Sequence, residues 1–269
     1  MKKFFVLFAA CAFIFGACTK KDGAVTADLS LQKVIDKGQF VLGLDDNFPP
    51  MGFHDAATNE LIGYDIDLAK EVTKRLGITL VTQPIEWNAK EQELNTGKID
   101  CIWNGFTITE DRKNALLYTP PYLKNAQVIV VKENSDIKTI ADLAGKKVGT
   151  QQGSSSVEAI DQTPEFKAGL KDVLEFKDFL TAFMDLDAGG VDAVVADLVV
   201  ANDSIGRSGK ALRKLDETLS EEEFGIGFRK KDKFLQEKIW ATLQEMAADG
   251  TVAQISIKWF GEDISVIGK

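Results

Sequence analysis

Histidine is almost missing from this chain: His54 is the one imidazole in 269 residues. It lies beside Asp55 in a polar loop, and no Ser-His-Asp set can be built elsewhere. Nor do the three cysteines join it in a cluster of the kind that holds a metal. Cys11 and Cys18 fall at the N-terminus, which leaves Cys101 alone and no internal disulfide. Its place in an apolar strand makes it a small buried hydrophobe. A basic tract is also missing. The formal net charge is −9, which argues against nucleic acid as a partner. Past the first residues, no apolar run approaches the about 20 residues that a membrane span needs.

The N-terminus has its own pattern. Lys2-Lys3 precede an apolar run, Phe4 to Phe15, followed by Gly16-Ala17-Cys18. A charged start, a short apolar stretch and small residues before a cut read as a secretory signal. The cysteine after the small pair resembles a bacterial lipobox, with Phe15 where such motifs usually carry Leu. That resemblance implies a diacylated Cys18 as the mature N-terminus, with residues 1–17 removed and 18–27 left as a tether. Removing the first 17 of 269 residues leaves 252; Lys2 and Lys3 depart with no acid, so net charge moves from −9 to −11. That length suits one large domain or two lobes of roughly 100–150 residues each.

The rest alternates. Phe40 to Leu44 reads as a strand and Tyr64 to Leu76 as a helix, with Ile66, Ala69, Val72 and Leu76 on one face and Gly77 as its stop. Strands follow at Ile78–Val81, Cys101–Trp103, Ala126–Val131, Lys147–Thr150, Val173–Phe176 and Ala193–Ala196. Helices are expected at Lys90–Asn95, from Ser155, at Phe179–Ala188 and at Phe234–Ala248. Such alternation predicts an α/β protein with mostly parallel sheets. One internal echo stands out: Gly97-Lys98-Ile99-Asp100-Cys101-Ile102-Trp103 parallels Gly189-Gly190-Val191-Asp192-Ala193-Val194-Val195. Two similar α/β lobes would each present polar groups at a strand's carboxyl end, where open α/β sheets bind ligands.

The candidate ligand groups lie at such ends. Asn104-Gly105-Phe106-Thr107-Ile108-Thr109-Glu110-Asp111-Arg112 leaves an apolar strand and enters a helix. Its backbone N–H groups, the Thr107 hydroxyl and the Arg112 fork suit a carboxylate. The plainer reading is an ordinary helix entry capped at Thr109. Gln151-Gln152-Gly153-Ser154-Ser155-Ser156 opens another helix and offers hydroxyls and N–H groups to the same anion. Asp197, after an apolar strand, can pair with an ammonium or cap a helix. Phe48 and Trp87 can be aromatic walls or plain core. An anion site, a cation site and apolar walls are what a zwitterion requires. The charged run Glu221-Glu222-Glu223 reads as a solvated face, although Glu222 could reach the cleft mouth in a closed form.

These strings, in order, resemble the polar amino-acid binding proteins of bacterial ABC importers, the family 3 solute-binding proteins. The resemblance runs from about Leu31 to Gly261. It is carried by Asp45 through Phe53, Gly63 through Ala69, Gly105 through Arg112, Tyr118 through Tyr122, Gly145 through Gly149, Val191 through Asp197, Phe224 through Phe228, Asp249-Gly250-Thr251 and Lys258 through Gly261. It implies a two-lobe periplasmic-binding-protein-like fold with two parallel-type sheets joined by a two-strand hinge. Lobe one would hold residues 28–122 and 225–269, lobe two 126–220, with hinges near 122–125 and 221–224. By motif position, Arg112 and Thr107 would bind the α-carboxylate, with a contact from Ser155. Gly105 and Asp197 would bind the α-ammonium, and Phe48 and Trp87 would sandwich the side chain. Asp45, Asn104, Gln151 and Ser154 would complete the cleft. No cofactor and no metal are implied. The implied partners are a polar or cationic L-amino acid, a membrane permease and its ATPase subunit, and the membrane itself through the lipid. The protein would act as an extracytoplasmic, anchored monomer. Two rival readings are an enzyme on the same fold, since cyclohexadienyl dehydratases resemble these binding proteins, and a ligand sensor.

The lipobox reading has a direct consequence. Cys18→Ser removes the acyl acceptor, so cell fractionation should move the protein from the membrane to the soluble fraction. An unchanged membrane-bound share contradicts it.

Overall fold

The computed structural model describes residues 27–207 and 209–269; the signal, the Cys18 lipidation site and nearly all of the tether lie outside them. The strands in chain order begin with β1 (Gln39–Leu44), β2 (Asn47–Phe48), β3 (Gly52–His54), β4 (Leu61–Ile62), β5 (Thr79–Pro84), β6 (Cys101–Ile102) and β7 (Leu116–Tyr118). Then come β8 (Leu123–Lys132), β9 (Lys147–Gln151), β10 (Asp172–Phe176), β11 (Ala193–Asp197), β12 (Leu212–Phe224) and β13 (Gly227–Arg229). They form two five-stranded sheets, ordered β5-β1-β6-β13-β7 and β10-β9-β11-β8-β12, and a small sheet β2-β3-β4.

The two large sheets share one plan. In each, the first three strands in the order are parallel and the fourth runs against them. The sheets are therefore mixed rather than parallel throughout. The echoed sequences occupy the same place, since β6 and β11 are both third. Their aspartates do the same job. Asp100 N donates to Val41 O at 2.7 Å while its carboxylate accepts from Val41 N at 2.8 Å. Asp192 N donates to Lys147 O at 2.9 Å while its carboxylate accepts from Lys147 N at 2.8 Å. In both sheets a side chain thus extends the parallel ladder by one rung where β6 and β11 begin.

Helices cover both sheets. Tyr64–Leu76 buries Ile66, Leu68, Ala69 and Val72, and Gly77 closes it in the left-handed conformation, as a C-terminal glycine does without a Cβ penalty. Its N-terminus is held at short range: Tyr64 N and Asp65 N donate to Pro50 O and Met51 O at 2.9 and 3.1 Å. Phe179–Ala188, entered through Asp178 as N-cap, buries Phe179 and Phe183. The long helix Lys233–Ala248 returns to the first sheet and buries Leu235, Ile239, Leu243 and Met246. No described helix is long and apolar enough to cross a membrane.

The chain passes between the sheets on β8 and β12. These pair antiparallel, with Leu123 opposite Phe224, Asn125 opposite Glu222 and Gln127 opposite Ser220. The outgoing and returning strands therefore lie side by side beneath the cleft between the lobes. That pairing fixes where the polar residues near their ends can reach.

Candidate functional site

The cleft floor is built by strand register. Asn125 and Gln127 are two apart on β8 and so face the same way. Glu222 lies opposite Asn125, and Asp197 opposite Gln127. Asn125 Nδ2 donates to Asp197 Oδ1 at 2.6 Å and to Glu222 Oε2 at 3.1 Å. Gln127 Nε2 donates to the same two oxygens, each at 2.9 Å. Asp197 is buried; burial raises its carboxyl well above the usual range, and the neighbouring Glu222 adds to the effect.

Lobe one brings the segment after β6 down onto this floor. Gly105 takes φ +54°, and a Cβ there would stand 2.7 Å from the Phe48 ring, so only glycine fits. Its N–H donates to Asp65 Oδ2 at 2.8 Å, and Tyr122 Oη donates to the same oxygen at 3.0 Å. Asp65 is fully buried, which pushes its carboxyl up to about 7. The Thr107 hydroxyl sits 2.9 Å from Ser155 Oγ, across the cleft, and donates to Glu222 Oε2 at 2.9 Å. Thr109 does cap the helix Glu110–Ala115, its side chain accepting from Arg112 N, as the plainer reading of this segment expects. The buried Arg112 guanidinium lies 4.7 Å from the Phe106 ring centre. It donates to Thr107 O at 3.0 Å and, across the cleft, to Gly153 O at 3.2 Å.

Lobe two answers from the ends of β9 and β11. Gln151 Nε2 donates to Asp45 Oδ2 at 2.6 Å. Burial pushes the Asp45 carboxyl up to about 6. Asp45 also accepts from Asn47 N at 2.9 Å, so it orders its own loop as well. Asn104 holds that loop from beneath, its Oδ1 accepting from Asp45 N at 3.1 Å. Ser155, at the start of the helix Ser155–Asp161, faces Thr107. Ser154 is spent locally, its hydroxyl donating to Gln151 O at 2.7 Å. The two aromatic walls are each engaged with another ring: Phe48 with Phe179 of lobe two at 5.9 Å, and Trp87 with Phe106 at 5.6 Å.

Four cleft residues were not among the sequence candidates. Glu222 was read as part of a solvated face; instead its Oε2 accepts from Thr107, Ser155, Asn125 and Gln127. Asn125 and Gln127 sit at the start of β8, where the apolar run drew attention to the residues after them. Lys90 opens the helix Lys90–Asn95, yet it is buried and donates to Trp87 O at 3.1 Å and to Gly153 O at 2.8 Å. Burial, with Arg112 beside it, lowers its ammonium to about 7. His54 is exposed, with Nε2 3.1 Å from Asp46 Oδ2.

The arrangement brings a guanidinium, two hydroxyls and two carboxylates together in one cleft, which are groups a zwitterion requires. Residues 40–262 match the model of the bacterial extracellular solute-binding proteins, family 3. The chain belongs to that family. It is 32% identical over 237 residues to the L-cystine-binding protein TcyJ of Escherichia coli K12, covering 87% of each chain. A substrate-binding protein of an ABC uptake transporter from Streptococcus pneumoniae, solved with bound histidine, superposes with a TM-score of 0.86 at 36% identity, covering 89% of this chain and 98% of that one. An ancestral arginine-binding protein bound to arginine superposes with a TM-score of 0.78 at 41% identity, covering 83% and 99%.

The buried carboxyls set a pH dependence. Groups raised on folding bind protons more tightly in the native state, so their contribution is full below about pH 4 and is lost as pH rises through the folded values. Those values are about 6 for Asp45 and about 7 for Asp65. Lys90 acts in the opposite sense, above about 7. Ligand-free protein should therefore melt at a higher temperature at pH 5 than at pH 7.5. At about 1.4 kcal/mol per pKa unit, the stretch from pH 5 to the Asp65 value of about 7 is worth roughly 3 kcal/mol. Asp65→Asn should shrink the difference between the two melting temperatures; an unchanged difference contradicts this.

Proposed function

We propose that the protein is the extracytoplasmic substrate-binding component of an amino-acid ABC importer. It captures a polar or cationic L-amino acid between its lobes and delivers it to a membrane permease driven by an ATPase subunit. One observation carries this reading. Arg112 and Thr107 from lobe one meet Ser155 and, through Gln127, Asp197 from lobe two in one hydrogen-bonded chain across the cleft.

In this reading the lobes divide at 122–125 and 221–224, and the hinge strands β8 and β12 flex. The open form takes the ligand on lobe one. Arg112 and the N–H and hydroxyl of Thr107 receive the α-carboxylate, and Ser155 joins on closure. The Gly105 carbonyl and Asp197 receive the α-ammonium. Phe48 and Trp87 flank the side chain, and Asp45 with Gln151 faces its end. Ligand favours the closed form only through contacts absent from the open one. The lipid on Cys18 keeps the protein at the membrane, on the cell surface or in the periplasm. The support for an amino-acid ligand is the family, together with relatives named for cystine, histidine and arginine.

A thermal-shift screen of the twenty amino acids plus ornithine and cystine tests the class, because a ligand at 100 times its Kd stabilises by about 2.7 kcal/mol. With the best ligand, Arg112→Ala should cost about 2–5 kcal/mol of binding by calorimetry, as when one partner of a buried charge pair is truncated. Unchanged affinity removes Arg112 from the site. For selectivity, a buried carboxylate beside an acidic side chain is unfavourable unless one protonates, whereas an amide or ammonium gives it a charge-assisted bond. Asp45→Asn should therefore weaken a cationic ligand more than a neutral one. Tight glutamate binding, with arginine, lysine, histidine and glutamine inert, overturns this.

A further inference from the structure

The cleft floor holds a second carboxylate that the motif pattern does not assign. We infer that Glu222 and Asp197 together form a two-carboxylate seat for the primary ammonium of the ligand, with Glu222 a specificity-determining residue that touches it. This rests on the amino-acid reading above and goes beyond it.

Three observations place Glu222 in the site. The first is register. Glu222 and Asp197 flank β8 from opposite sides, on one face of the second sheet, opposite Asn125 and Gln127. Their positions follow from backbone pairing within lobe two and its hinge, not from closure.

The second observation is sharing. The same two amide nitrogens, Asn125 Nδ2 and Gln127 Nε2, each donate to both Asp197 Oδ1 and Glu222 Oε2, at 2.6–3.1 Å. Two carboxylates served by the same neutral donors remain a net anionic pair. Two carboxylates this close repel, which together with burial raises Asp197 well above the usual range, and a cation seated against both relieves that repulsion. Arg112, the guanidinium nearest in the argument, is committed to Thr107 O and Gly153 O.

The third observation points to a ligand directly. Asn125 is 5% exposed, and its amide is anchored to both carboxylates through Nδ2, yet its Oδ1 is buried without a donor. A buried acceptor left unpaired is costly. A primary ammonium brings three N–H donors in a compact head. The Asp197 and Glu222 carboxylates meet at Asn125 Nδ2, and Oδ1 of the same amide is the acceptor still without a donor.

Glu222 also couples the seat to closure. Its Oε2 accepts from Thr107 of lobe one at 2.9 Å and from Ser155 of lobe two at 3.1 Å. Those hydroxyls are the ones the α-carboxylate receives in the reading above, so ligand binding exchanges the Thr107 and Ser155 bonds of Glu222 for the ammonium.

The test separates contact from scaffolding. Binding of L-arginine and of its deaminated analogue 5-guanidinopentanoate is measured by calorimetry for wild type, Glu222→Gln and Asp197→Asn. L-Histidine with imidazole-propionate serves as a second pair. Wild type should prefer the ammonium-bearing member of a bound pair strongly. Glu222→Gln, which keeps the shape and melts like wild type, should lose at least tenfold in affinity for the amino acid while losing little for the deaminated analogue. The preference ratio should therefore fall by tenfold or more. Equal losses for both members make Glu222 structural and overturn the proposal, as does an unchanged ratio. Tighter amino-acid binding by Glu222→Gln overturns it too, because Glu222 is then an internal competitor. If wild type binds neither amino acid nor any other in the screen, the amino-acid reading itself fails, which is a different result.

Discussion

Buried carboxylates are the constraint on which this molecule turns. Asp45, Asp65 and Asp197 are all buried, and removing an ion from water costs several kcal/mol unless other groups replace the solvent. Asp65 receives a backbone N–H and a phenol, and Asp197 receives two amides. Asp45 receives an amide from across the cleft. Hydrogen bonds reduce the cost without cancelling the charge. In the proposed function a cation entering this cleft offsets that cost, so the capture of an ammonium and the closing of two lobes would be one event.

The repeated sheet plan explains how such groups come to face each other. Each lobe sets three parallel strands beside a reversed fourth, with an aspartate completing the ladder where the third strand begins. Parallel strands point their carboxyl ends the same way, and loops leaving those ends carry the candidate ligand groups. Two such sheets joined by β8 and β12 place the Gly105–Arg112 segment opposite Gln151–Ser155. Arg112, Lys90 and Phe48 each reach across to lobe two.

Much of this was legible in sequence because the elements are amphipathic or strongly apolar. Tyr64–Leu76, Lys90–Asn95 and Phe179–Ala188 fall where periodicity and glycine stops put them. The strand β12 was not read, since its 13 residues are mostly polar and its burial alternates weakly. That hid Glu222. Glu221 and Glu223 face solvent while Glu222 turns inward, which a two-residue period predicts once a strand is recognised. Asn125 and Gln127 were masked in the same way by the apolar residues around them. Lys90 gave no local signal, because a lysine at a helix start reads as solvated until the carbonyl it meets, Gly153 O, is brought to it by the fold. Asn104 and Ser154 were legible as cleft residues but serve the loops around them.

The most direct measurement is a crystal structure with the amino acid that most raises the melting temperature. The account predicts that amino acid between the lobes, its α-carboxylate within about 3 Å of the Arg112 guanidinium and its ammonium against Asp197. A ligand bound outside the cleft, or lying in it with carboxylate toward Asp197 and ammonium toward Arg112, would contradict it.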